Sequence, residues 1–106
     1  MAFSATLSTE EDTAKITLSG ELDAASAPAF RSEVEKAAQS QPKRLVLFLQ
    51  DLEFMASAGL RVLIFAKQKM GADVELYAVA PQEGIRETLV KTGFDKSLII
   101  VDNYAE

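Results

Sequence analysis

The chain has 106 residues, a net charge of -5 and 48% hydrophobic residues. That is the length of one ordinary domain, too apolar for a disordered segment and too acidic to hold nucleic-acid phosphates. It contains neither cysteine nor histidine, which removes disulfides, thiolate metal sites, cysteine nucleophiles and the usual histidine base of hydrolase triads.

Residues 3–8 alternate apolar and polar, as do residues 15–19 after the polar turn Thr9-Glu10-Glu11-Asp12. Period-2 patterns joined by a short polar link predict a β-hairpin. Gly20 is expected to end the second strand. In the next stretch, Phe30, Val34, Ala37 and Ala38 fall at helical spacing. Pro28 suits the first turn of that helix, and Asp23 or Ser26 suits its cap. Residues 44–49, RLVLFL, form a nearly continuous apolar run, the pattern of a strand covered on both faces. Asp51 reads as a loop aspartate just beyond it.

A helix then starts near Ser57 and is ended by Gly71. Residues 74–80 predict a further strand, Pro81 opens a helix carrying Ile85 and Leu89, and Gly93 closes it with Phe94 packing back. Residues 97–101, SLIIV, predict the last strand before a short polar tail. The order β-β-α-β-α-β-α-β predicts an α/β fold: one domain over residues 1–106, its mixed, mostly parallel sheet beginning with the hairpin. The N-terminus has no basic, apolar leader pattern, and no apolar run approaches the roughly 20 residues of a membrane span. A cytoplasmic location without membrane insertion is the expectation.

Ser57 is the residue to explain. It comes after a strand at the start of a helix, where open α/β sheets place their sites. One reading is an N-cap. The other is a phosphorylation site, because a phosphoserine adds about -1.5 to -2 charges and a helix N-terminus favours that charge. Gly59, lacking a side chain, would let another group approach the first turn. Leu60, Val62, Leu63, Ile64, Ala66 and Met70 share one arc that would face the sheet. Phe65 lies between Arg61 and Lys69 on the polar side, as a partner contact would, unless the helix is rotated or a loop covers it. A serine nucleophile would need a base, and Lys67 and Lys69 are turned away from the helix start.

Two stretches, GELDAASAPAF (20–30) and DLEFMASAGLRVL (51–63), resemble the STAS family of anti-sigma factor antagonists. The late Thr-Gly-Phe turn (92–94) and the opening hairpin extend the resemblance over the whole chain. It implies a STAS-like domain that binds an anti-sigma factor, itself an ATP-using serine protein kinase, and so releases a sigma factor. Phosphorylation of Ser57 would end that binding, and a serine phosphatase would restore it. By the same resemblance, Asp23 is the family's acidic residue near the phosphosite. Ala56, Ala58, Gly59, Arg61 and Phe65 complete the expected partner-binding set. No catalytic residue, metal or cofactor is implied for this chain. The family's Asp-Ser-Ser-Gly reads Ala56-Ser57-Ala58-Gly59 here, so the acceptor is kept while both neighbours are alanine. A second role stays open: a scaffold or accessory STAS domain in a stressosome-like or transporter-associated complex.

Overall fold

A computed structural model describes residues 2–104. The hairpin is present as β1 (Ser4–Glu10) and β2 (Thr13–Leu22), paired antiparallel with Ser4 opposite Ser19. Gly20 does not end β2. It sits inside the strand at φ 85°, and a side chain there would run into the Ala2 carbonyl. A residue with a Cβ tolerates neither the angle nor the contact.

After β2 come α1 (Ala27–Gln39), β3 (Arg44–Met55), α2 (Ser57–Met70), β4 (Glu75–Val79) and α3 (Glu83–Lys91). A short 3₁₀ turn (Phe94–Ser97) then leads into β5 (Ile99–Val101). The sheet order is β1-β2-β3-β4-β5, with every pair after the hairpin parallel. Strand β3 is longer than the apolar run suggested and contains Asp51, opposite Ser19. Its register against β2 shifts twice, between Thr17 and Ser19 and again between Gly20 and Glu21. Such bulges admit extra residues into one strand and bend it, which is why the apolar pattern stops at Leu49 while the strand goes on. At the other boundaries, Pro81 lies just outside α3, and β5 keeps only three residues of its predicted five.

One apolar core joins alternate sheet residues (Ala14, Ile16, Leu18, Leu45, Leu47, Leu49, Leu76, Ala78) to Phe30 and Val34 of α1, Leu63 and Ala66 of α2, and Ile85 and Leu89 of α3. All three helices therefore pack on one face of the sheet. Sequentially ordered parallel strands with crossovers of one hand produce that arrangement.

The opposite face has no helix among the described residues, so β3 is not sandwiched as its continuous apolar run predicted. Val46 is nevertheless fully buried. Its ladder neighbours are Lys15 and Tyr77, and Tyr77 packs edge-on to Tyr104 at 5.3 Å between ring centroids. Side chains from adjacent strands and the chain's last described residues do there what a second helix layer would do.

Candidate functional site at two helix starts

Strands β2 and β3 end side by side. Leu22 pairs with Met55, and the Ala56 N–H donates to the Leu22 carbonyl at 2.8 Å. Asp23 comes directly after β2, and Ser57 one residue after β3. Both lie beyond the carboxyl ends of neighbouring parallel strands.

The Asp23 to Ser26 turn is closed by its own bonds. The Asp23 N–H donates to Ser26 Oγ at 2.9 Å, and the Ser26 N–H donates to Asp23 Oδ1 at 3.0 Å. The Ser26 hydroxyl also lies 2.9 Å from Asp23 Oδ1 and 2.9 Å from the Glu21 carbonyl. These contacts hold the Asp23 carboxyl below its ordinary range, the Ser26 hydroxyl first and the Ser26 N–H second, because both stabilise the carboxylate. The carboxylate is charged at neutral pH. Ser26 occupies the N-cap position of α1, but its side chain makes no capping bond to the helix, and Pro28 stands in the first turn.

The start of α2 differs. Ser57 is not the cap. Ala56 holds that position at φ -79°, ψ 171°, without a side-chain bond, and Ser57 is the first helical residue. The Ser57 side chain is exposed and makes no hydrogen bond within the described residues. The first rung of the helix runs from the Leu60 N–H to the Ala56 carbonyl at 3.1 Å. The N–H groups of Ser57, Ala58 and Gly59 therefore lie outside the helical ladder, and no acidic residue occupies the first turn.

Gly59 is buried rather than open to a visitor. A Cβ there would lie 2.6 Å from Leu22 Cγ and 3.0 Å from Met55 Cγ. The close approach anticipated at this glycine is made by the chain's own Leu22, so Gly59 seats α2 on the sheet. Ala56 and Ala58 are half-buried, and Arg61 is exposed one turn beyond Ser57.

Phe65 is not a free aromatic on a solvated face. It is half-buried against the core, and the Arg31 guanidinium of α1 lies over its ring at 4.1 Å. The helix is rotated relative to the predicted arc, which brings Phe65 inward and leaves Ile64 38% exposed. Ile64 and Phe54, the latter 50% exposed just before the site, are apolar surface residues near the site that periodicity missed. The bulges in β3 displaced Phe54 from any simple alternation.

A cleft of about 800 Å³ lies at the other end of the sheet and is lined by Glu10, Glu11, Asp12, Lys43, Arg44, Asp73, Glu75 and Tyr104, among others. Its cations are already engaged, Lys43 with Asp12 at 3.8 Å and Arg44 with Glu75 at 3.3 Å. No helix of the described residues is long and apolar enough to cross a membrane.

Comparison with known proteins agrees with this fold. The STAS domain family profile matches residues 4–106. The anti-sigma-F factor antagonist RsfB of Mycobacterium tuberculosis is 28% identical over 92 residues, which is 87% of this chain and 75% of that protein. An anti-sigma factor antagonist from Mycobacterium paratuberculosis has a crystal structure similar to this one, with a TM-score of 0.87 at 25% identity, covering 96% of this chain and 87% of the other. The unphosphorylated form of SpoIIAA, a Bacillus protein, shares the fold with a TM-score of 0.76 at 21% identity, covering 97% and 90% of the two chains. The chain belongs to the STAS domain family.

Proposed function

We propose that the chain is an anti-sigma factor antagonist, and that Ser57 is its regulatory phosphosite. Unphosphorylated, it binds an anti-sigma factor that is also a serine protein kinase, and the sigma factor is released. The kinase then transfers the γ-phosphoryl group of ATP to Ser57 Oγ, the hydroxyl proton leaves, and ADP is the product. The complex dissociates until a serine phosphatase hydrolyses the phosphoester. Asp23, Arg61 and the Arg31–Phe65 pair lie on the elements that carry this surface, while Ala56, Ala58 and Gly59 shape the turn around the acceptor.

The observation that carries this reading is the exposed, unbonded Ser57 hydroxyl at an uncapped helix N-terminus in a STAS chain. A phosphate placed there meets free N–H groups and the positive end of the helix dipole. The fold tolerates the modification, and its effect falls on whatever docks there. The family kinship supports the partner class.

The test begins with capture of the anti-sigma factor from the native cell, using Ser57→Ala as bait. Ser57→Ala is expected to bind the purified partner as tightly as the unmodified chain. Ser57→Asp is expected to bind at least about tenfold more weakly, a difference of roughly 1.4 kcal/mol. With ATP and the partner, intact mass should show one added phosphoryl group on the natural chain and none on Ser57→Ala. Equal affinities for the two variants, or phosphate appearing elsewhere, would sink the proposal.

A further inference from the structure

The Ser26 hydroxyl bonds back along the chain to the turn before its helix. A serine in the N-cap position ordinarily accepts a hydrogen bond from the second or third N–H of its helix. Here it makes no such bond. It turns back instead, accepting the Asp23 N–H at 2.9 Å while its own proton has two acceptors at 2.9 Å, Asp23 Oδ1 and the Glu21 carbonyl. The Ser26 N–H adds a bond of 3.0 Å to the same carboxylate oxygen. The reciprocal Asp23–Ser26 pair has the pattern of a capping box, and the Asp23 carbonyl accepts the Ala27 N–H at 2.9 Å, so the bonds that close the entry to α1 also fix the carboxylate. The side chain nearest the cap is committed to the position of one charged group.

That group is well placed to matter. Asp23 directly follows Leu22, whose carbonyl receives the Ala56 N–H at 2.8 Å and whose side chain underlies Gly59. The Asp23 turn and the first turn of α2 are thus tied through a single residue. Alanines at 24 and 25 offer no polar side chain within the turn, and among the described residues it is the Ser26 side chain that bonds the carboxylate.

We propose that Ser26 is a positioning residue of the switch surface, holding the Asp23 carboxylate in the orientation that the anti-sigma partner reads. The proposal rests on the antagonist reading above. Ser26 acts through Asp23 and does not itself contact the partner. The charged state of Asp23 agrees with this, since the same hydroxyl is the leading cause of its lowered pKa.

The experiment measures binding of the purified anti-sigma factor to the unphosphorylated chain and to Ser26→Ala, Ser26→Thr, Asp23→Asn and the double variant. Melting curves establish that each is folded. Ser26→Ala is expected to weaken binding by about five- to tenfold, the size of one net hydrogen bond. Ser26→Thr keeps the hydroxyl and should stay within about twofold of the natural chain. The double variant should bind no worse than Asp23→Asn alone, because Ser26 has nothing left to position. A purely structural Ser26 would move the melting curve but would not show this coupling in binding. Natural affinity in Ser26→Ala, an innocuous Asp23→Asn, or additive losses in the double variant would each overturn the proposal while leaving the antagonist reading intact. Failure of the natural chain to bind any anti-sigma factor would overturn both.

Discussion

Helices α1 and α2 begin side by side at the same end of the sheet, and their first turns are built in opposite ways. The α1 turn uses its polar atoms internally, with Asp23 and Ser26 exchanging bonds and Pro28 stiffening the start of the helix. The α2 turn has an alanine in the cap position, no acidic residue and a serine hydroxyl bonded to nothing in the described structure. An absent cap forfeits about 1 kcal/mol of helix stability. What holds α2 is apolar and comes from below, where Gly59 rests on Leu22 and Met55. The contrast teaches a division of labour. Packing anchors the helix that carries Ser57, so its polar end stays free for chemistry from outside, while hydrogen bonding makes the neighbouring turn rigid.

The largest test attacks the apolar anchor. Leu22 is fully buried between the two helix starts, and Leu22→Ala is expected to cost about 2–5 kcal/mol in urea unfolding. Gly59→Ala forces a Cβ against the Leu22 side chain and should cost about 1–3 kcal/mol. The two changes are complementary, since removing the Leu22 branch opens the space that the new methyl group needs. The double variant should therefore be more stable than the sum of the single losses predicts. Strict additivity would mean that Leu22 does not dictate the glycine.

A smaller effect sharpens the polar side of the contrast. The backbone of Ala56 is already extended, as a cap residue requires. Ala56→Ser should stabilise the chain by about 1 kcal/mol, which for a domain of this size is a rise of roughly 4–8 °C in Tm. Phosphorylation of Ser57 should also raise Tm, by satisfying the same N–H groups and the helix dipole. The phosphate gain should then be smaller in Ala56→Ser than in the natural chain, because the two groups compete for shared donors. A fall in Tm on phosphorylation would show that this helix start does not welcome the charge.

Much of this architecture is legible in the residues because period and punctuation agree. The hairpin, the three helices and the parallel strands each have an apolar period with a Gly, Pro or polar turn beside it. What is not legible arises from tertiary pairing. The β3 bulges depend on register against β2, so neither the full length of that strand nor the exposure of Phe54 can be read from residues 44–55. The inward position of Phe65 is hidden because the rotation of α2 depends on Gly59 settling over Leu22 and on Arg31 approaching from another helix. The residue pattern does single out Ser57, but its place as first helical residue rather than cap turns on a single backbone angle at Ala56. Cap residues and glycines say where a helix starts, not which hydroxyl is left unused.

The smallest effect belongs to the closed turn. The Asp23 carboxyl is held below its ordinary range, mainly by the Ser26 hydroxyl. A lowered value in the folded chain means that the folded state binds this proton less readily than the unfolded chain does. The stabilisation is therefore complete above the ordinary aspartate value, about 3.9, and is lost as the pH falls through the folded value. Ser26→Ala removes the leading cause of the shift, so its stability deficit should be full near about pH 7 and shrink as acid protonates Asp23 in both proteins. In an Asp23→Asn background the deficit caused by Ser26→Ala should no longer shrink with acid, because no carboxylate remains at position 23 to titrate. Thermal melts of the four proteins between about pH 7 and pH 2.5 read this directly, a range that brackets the usual aspartate titration. A Ser26→Ala deficit that stays constant down to the acid limit would mean that the hydroxyl supports the turn through Glu21 alone. The two helix starts would then differ only in backbone capping, and not in how each handles charge.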